Sequence, residues 1–260
     1  MFDSENPRVV MQRRMPRVYP PDFGLTKGAE PLEAIKPRKI RRGLPGDFPT
    51  RKGTLPSLRT KNLLEIDALG HFELNPDIAL MAMRSHSIEW DDPQKDGSSI
   101  LRRYVPSLAM RRRDGAVCVL DIRSAEDADT EAWRRTEAYL RIDYGLLKAS
   151  FATLTEESVY IQPRHRNVSQ MLQMRMVERD EPAIDRVRTV VHSLLMPAAV
   201  GVIVAKAKLP NPHGCADPAF ACLVEMAITG EVELDLSRPL GIDTRVSIPA
   251  RRYEQFRRLN

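Results

Sequence analysis

The sequence predicts an α/β protein with a mixed central sheet, followed by a small domain of three helices and a two-stranded wing. Three observations carry that prediction. The apolar periodicity changes along the chain from helical spacing to alternation and back. The run Ala116 to Ile122 is almost wholly apolar, which suits a central strand covered on both faces. From Asp180 onward, three helical stripes are followed by two short alternating runs. With 260 residues and 42% hydrophobic content, the chain holds enough apolar material for one good core and two smaller ones.

Residues 1–60 carry 13 Lys or Arg against 6 Asp or Glu, and nine of the 20 prolines. The net charge of +5 is therefore +7 in this segment and −2 in the remainder. Proline lacks a backbone donor and is excluded from helix interiors, so the segment reads as an extended basic arm. Its most basic point is KPRKIRRG, Lys36 to Gly43, where Arg38, Lys39, Arg41 and Arg42 are candidate contacts to a phosphate backbone. A solvated tail is the plainer reading of the same run.

A helix is expected from Thr60, because Leu63, Leu64, Ile66, Leu69 and Phe72 recur at three- and four-residue intervals. Asn75-Pro76-Asp77 ends it, since proline and its neighbour resist the helical region. Ala79 to Trp90 alternates loosely, and Asp91-Asp92-Pro93 with Lys95-Asp96-Gly97 marks a turn. A second strand follows over Ile100 to Met110. Arg113-Asp114-Gly115 is a tight-turn signal, because Asp-Gly tolerates positive φ. After the strand Ala116 to Ile122, residues Thr130 to Ala149 read as a helix with Trp133, Leu140 and Leu147 inward. Phe151 to Leu154 and Val159 to Ile161 look like short strands. The core domain is placed at 61–178.

The last domain, 179–260, begins with the stripe Ile184, Val187, Val190, Val191, Leu194 and Leu195. Pro197 is placed to open a second helix, and Pro218 opens a third that runs through Ile228 and is capped by Gly230. Glu231 to Leu236 and Thr244 to Ile248 alternate as a closing hairpin. This is a winged-helix-like plan. Its third helix contains Glu225 and no Lys or Arg, whereas a helix that reads base edges presents Arg, Lys, Asn or Gln. Protein docking is the better expectation for it, with DNA contact falling to Arg245, Arg251, Arg252, Arg257 and Arg258.

No apolar run approaches the roughly 18–20 residues of a membrane span. The start, MFDSENPRVVMQRR, lacks the apolar core of a signal peptide. The expectation is a soluble cytoplasmic protein, bacterial in style, with no membrane partner. Cys118, Cys215 and Cys222 are too unevenly placed for a disulfide framework or a zinc site. His86 and His165 are isolated and read as structural or surface residues.

The chemistry-bearing stretch is Tyr104 to Arg123, YVPSLAMRRRDGAVCVLDIR. Nucleases of the restriction-endonuclease superfamily place Pro-Asp at the start of one strand, a hairpin, then Glu-x-Lys or Gln-x-Lys on the next. Here those places read Pro106-Ser107 and Asp121-Ile122-Arg123. Together with Phe48-Pro49-Thr50-Arg51-Lys52, Asn62-Leu63-Leu64-Glu65, Leu154-Thr155-Glu156 and Arg166-Asn167-Val168, the order resembles the TnsA-like endonuclease subunit of heteromeric transposases over residues 45–178. The winged-helix-like tail is also in the expected place.

The resemblance implies a restriction-endonuclease-like core that cuts the strand at transposon 5′ ends. Its implied partners are double-stranded DNA, a transposase that cuts the other strand, and an ATPase that docks on the tail. It implies Glu65, Ser107, Asp121 and Arg123 as the catalytic positions, with Glu65 and Asp121 as ligands for Mg²⁺, a hard ion that takes oxygen donors. Ser107 stands where the central Asp is expected, and a neutral hydroxyl cannot supply the charge that draws the ion from water. Arg123 keeps the positive charge of Lys but stays protonated, and suits phosphate holding more than water activation. Arg111, Arg112 and Arg113 are candidate DNA contacts on the hairpin, and a solvated hairpin edge is their plainer reading.

Glu65 also reads as an exposed helix carboxylate, and Asp121 as an ion-pair partner of Arg123. Three functions compete. One is a TnsA-like transposition protein that binds DNA and its partners with impaired cleavage. The second is an active Mg²⁺-dependent endonuclease rebuilt around Glu65, Asp121 and a recruited acid such as Asp91. The third is a protein scaffold or regulator that has no DNA function.

Overall fold

The computed structural model describes residues 15–35, 44–93, 98–176, 178–211 and 217–249. The turn signal Lys95-Asp96-Gly97 and Arg251, Arg252, Arg257 and Arg258 lie outside the described residues, as does the basic run with Arg38, Lys39, Arg41 and Arg42. In chain order the elements begin with β1 (Arg17–Tyr19), β2 (Gly46–Pro49), β3 (Ser57–Thr60) and α1 (Leu63–Leu74). Next come β4 (Ile78–Met83), β5 (Ser87–Pro93), β6 (Ser99–Tyr104), β7 (Leu108–Arg112) and β8 (Val117–Ile122). Then follow α2 (Ala125–Ala128), α3 (Glu131–Leu146), β9 (Ala149–Leu154), α4 (Glu156–Val159) and α5 (Arg164–Met174). The chain continues with α6 (Glu181–Ser193), β10 (Ala198–Ala199), α7 (Val200–Ala207), α8 (Pro218–Ile228), β11 (Glu233–Leu234) and β12 (Arg245–Ser247).

The protein is mixed α/β, and it divides into two compact units that are each discontinuous in sequence: residues 1–62 with 79–155, and residues 63–78 with 156–260. The first unit holds a four-stranded sheet of order β4-β7-β8-β9. β7 and β8 are antiparallel, and β8 and β9 are parallel, so the sheet is mixed. The parallel step requires a crossover, and α3 supplies it. α3 is capped at its start by Thr130, whose hydroxyl accepts from Trp133 N, and buries Trp133, Leu140 and Tyr144. These side chains form a core with Ile88, Val119 and Phe151. The hairpin at Asp114-Gly115 is as the sequence requires, since Gly115 has φ +87° and the Asp114 carboxylate accepts from Ala116 N at 3.0 Å.

Two long strands expected from sequence are each broken in two. Ala79 to Trp90 becomes β4 and β5, with the break at Arg84, which has φ +48°. Ile100 to Met110 becomes β6 and β7, broken around Pro106, which has no N–H for a ladder. β5 and β6 pair in a separate sheet of order β1-β5-β6, while β4 and β7 lie in the main sheet. β1 and the β2–β3 hairpin fall within residues expected to be an extended arm. β1 pairs with β5 through Val18 opposite Ile88, and Leu25 is buried with Leu80, Ala82 and Ala109.

The second unit packs α1 against α4, α5 and α8. Its core joins Leu74 and Met171 to Ile184, Val191, Ile203 and Leu223. Residues expected as a strand at Val159 to Ile161 belong instead to the end of α4 and the bend after it. Glu156 and Glu157 in the first turn favour the helix, because carboxylates there offset the positive end of the peptide dipoles. Beyond α6, Ala198 and Ala199 form a short strand before the helix that Pro197 was expected to open, so that helix starts at Val200. The closing sheet is three-stranded, of order β10-β12-β11. α8 starts at Pro218 behind an Asp217 cap and buries nine of its residues. Gly230 follows it with φ +75°. Among the described residues no helix is long and apolar enough to cross a membrane.

Candidate functional site

The residues singled out between Tyr104 and Arg123 meet inside the first unit. Leu108 pairs with Leu120 across the β7–β8 hairpin, which sets Ser107 at the head of β7 beside Asp121 near the end of β8. The Ser107 hydroxyl donates to Asp121 Oδ1 at 2.9 Å and accepts from Ile122 N at 3.1 Å. Asp121 Oδ2 receives Arg123 Nε at 2.7 Å and a second, shorter contact from the same guanidinium. The Arg123 guanidinium also donates to the Tyr104 hydroxyl at 3.0 Å and lies over the Trp133 ring, 3.1 Å from its centre. Trp133 is held in turn by its indole N–H, which donates to Thr153 Oγ1 at 3.0 Å.

This is a closed network. Ser107 and Asp121 are buried, and the Asp121 side chain is only 5% exposed against 21% for Arg123. A buried carboxylate needs a cation and donors on both oxygens, and Asp121 has them. Burial and the nearby Asp121 charge push the Tyr104 hydroxyl far above the usual phenol range, so it stays protonated.

Glu65 lies buried on α1, in the second unit, so the exposed-carboxylate reading of Glu65 is corrected. Leu63 is the exposed residue of that turn. Among the described residues no three His, Cys, Asp or Glu side chains are grouped to hold a metal ion. The donor set explains why Mg²⁺ does not fit here: Ser107 is neutral, and both Asp121 oxygens already accept from protein donors. Asp92, next to the candidate acid Asp91, is bound to Arg102 at 3.1 Å and Arg135 at 3.0 Å. Asp91 alternates to the opposite face of its strand from Asp92.

The hairpin arginines are placed unequally. Arg111 is half-buried and donates to the Leu25 carbonyl at 3.1 Å, and Arg112 pairs with Asp114 at 3.4 Å. Arg113 is the exposed one of the three. His86 is structural: fully buried, it bonds the Tyr144 hydroxyl at 2.8 Å and meets Phe23 edge to face. Burial pulls its pKa down to about 4. His165 sits 6.0 Å from His71 in a stacked pair. Cys222 is buried in the second unit with its thiol pushed up to about 11 by burial, which makes it inert.

Sequence reading missed one feature. Arg102, Tyr104, Trp133 and Arg135 share a cleft with Arg123, although they come from β6, the end of β8 and α3. The one local signal was the Arg102-Arg103-Tyr104 triplet. No family model matches the chain, and no curated protein matches its sequence.

Proposed function

We propose that the chain is a TnsA-like transposition protein that binds double-stranded DNA and its transposase and ATPase partners, with cleavage impaired. The single observation that carries this reading is the meeting of Ser107, Asp121 and Arg123 at the neighbouring ends of two paired strands. The register of the β7–β8 hairpin, with Leu108 opposite Leu120, brings Ser107 beside Asp121, and Arg123 follows Asp121 by two residues, which is the arrangement the nuclease spacing requires. The chain order from α1 supports it as well: one helix, then β4, β7 and β8, then α3 and β9. A restriction-endonuclease-like core has this order, with its Asp at the head of the second strand and its second acid on the third.

The tail supports a winged-helix reading. Its order is helix, short strand, helix, helix and two strands, with β10 and β11 on either side of β12. α8 is buried on most of its length, so protein docking remains the better role for this unit than major-groove reading. Impaired cutting follows from charge. Where a nuclease presents carboxylates to a cation, this site has used Arg123 as an internal counter-ion and Ser107 as a neutral spacer.

The test is a metal titration of wild type against Ser107→Asp and Ser107→Asp/Arg123→Lys. An aspartate at 107 faces Asp121 at hydrogen-bond range, so the two carboxylates repel until a cation joins them. Thermal unfolding should drop in Ser107→Asp and be restored by Mn²⁺ or Mg²⁺, most strongly in the double variant. If neither ion raises the unfolding temperature of either variant above its effect on wild type, the register of the site is wrong and the reading fails.

A further inference from the structure

A cleft of about 540 Å³ opens in the first unit between the β5–β6 ribbon and α3. That volume is in the range of pockets that enclose small organic ligands, about 300–1,000 Å³. The pairing of Trp90 with Arg102 and of Ile88 with Tyr104 puts these four on one face of the ribbon, with Asp92 two residues along. Opposite them, Ala132, Trp133, Arg135, Thr136 and Tyr139 share one face of α3 by helical spacing. Arg103 also borders the cleft, although strand alternation sets it on the opposite face of the ribbon from Arg102.

The walls alternate guanidinium and ring. Arg123 covers Trp133, and Arg135 lies 5.9 Å from the centre of Tyr139. Arg102 and Arg135 share the single Asp92 carboxylate, which leaves this pair with surplus positive charge. Their side chains are 51% and 60% exposed, so each guanidinium, with five donors, keeps N–H groups turned to solvent. The Trp90 indole N–H is buried in the same wall and finds no hydrogen-bond acceptor among the described residues. An anion between Arg102 and Arg135, with a planar ring against Tyr139, would use both the exposed guanidinium donors and the ring. Inorganic phosphate would use the charge and leave the rings idle; an apolar ligand would do the reverse.

We propose that this cleft binds a nucleoside phosphate, with the phosphate on Arg102 and Arg135 and the base stacked on Tyr139 and the adjoining guanidinium planes. This goes beyond the function proposed above, which needs only contact with a duplex backbone, and does not depend on it. A base inside a duplex is stacked on its neighbours and cannot enter such a cleft. The ligand is therefore either a free nucleotide or an unpaired nucleotide of a single strand.

The chain has two tryptophans, Trp90 and Trp133, and both line the cleft, so intrinsic emission reports on its occupancy. The full chain is titrated with thymidine monophosphate, a short oligothymidylate, a duplex of equal length and inorganic phosphate. Thymidine monophosphate or the oligonucleotide should change the emission saturably. Arg102→Ala and Arg135→Ala, both at exposed positions, should each weaken that binding on the order of tenfold. Tyr139→Ala should weaken the nucleotide and leave inorganic phosphate unaffected. Saturation by the oligonucleotide at lower nucleotide concentration than by the monophosphate assigns the site to a strand, and equal affinity assigns it to the free nucleotide. The proposal is overturned by no change with either, by inorganic phosphate binding as tightly as the nucleotide, by the duplex competing equally, or by affinities unmoved in both arginine variants.

Discussion

Removing the Arg123 side chain isolates the physics of the Ser107–Asp121–Arg123 cluster. Arg123→Ala takes from Asp121 both guanidinium hydrogen bonds on Oδ2, leaves it the Ser107 and Tyr104 hydroxyls as donors, and uncovers Trp133. The carboxylate, 5% exposed while Arg123 covers it, is left in a largely buried site without its cation. Breaking a buried pair from one side costs about 3–5 kcal/mol, and the stacking on Trp133 is a part of that at about 0.5–2 kcal/mol. In an Asp121→Asn background no buried charge remains, so the same arginine deletion should cost only about 1 kcal/mol. The expected coupling is therefore about 2–4 kcal/mol. The assay is urea denaturation followed by tryptophan emission, which reports the first unit because Trp90 and Trp133 both lie there. A cost below about 1 kcal/mol for Arg123→Ala, or an equal cost in both backgrounds, would mean that the pair behaves as a solvent-screened surface bridge and refute the reasoning.

Three further outcomes rest on named residues. Burial lowers the His86 pKa to about 4 against an unfolded value near 6.5, so the unfolded chain takes up a proton first as pH falls. The stability that His86 contributes is whole above about pH 6.5 and is lost on going down towards pH 4. The full difference is about 3 kcal/mol, and His86→Gln should flatten that part of a stability-versus-pH profile. Gly24 has φ +65°, and a Cβ there would collide with the Ser85 carbonyl, so Gly24→Ala should cost at least about 2 kcal/mol by denaturation. Replacing Arg38, Lys39, Arg41 and Arg42 by Gln should weaken duplex binding and reduce the salt slope by about 0.9 for each phosphate that is no longer neutralised. An unchanged slope would remove that run from the interface. Substitution is the right perturbation here, because deleting residues 1–60 would also remove β1 and the buried Leu25.

What was legible in the sequence was what local chemistry decides. The Asp114-Gly115 turn, the apolar strand before Ile122, the α3 periodicity and the Pro218 helix start each depend on a few adjacent residues. The breaks at Arg84 and Pro106 were not legible, because leaving one sheet for another is decided by partners far along the chain. Val159 and Ile161 looked like strand by residue type, and the acids at Glu156 and Glu157 with burial of Val159 tipped the balance to helix. At the site, spacing brought Ser107 and Asp121 together, and the Asp121–Arg123 pair was one of two readings the residues allowed. Glu65 as a further member came from the resemblance alone, and its burial on α1 was not legible from the exposed look of its turn. The arginine and aromatic cleft was invisible because β5, β6 and α3 contribute to it through tertiary contact alone.

The central claim is that the chain holds DNA and does not cut it, and one gel reads both halves. Supercoiled plasmid is incubated with the full chain at low salt with Mn²⁺, then run with and without removal of the protein. The expected result is plasmid retarded by the protein and released intact as supercoils. Nicked or linear plasmid that disappears with Asp121→Ala would contradict the account, and so would plasmid that is never retarded.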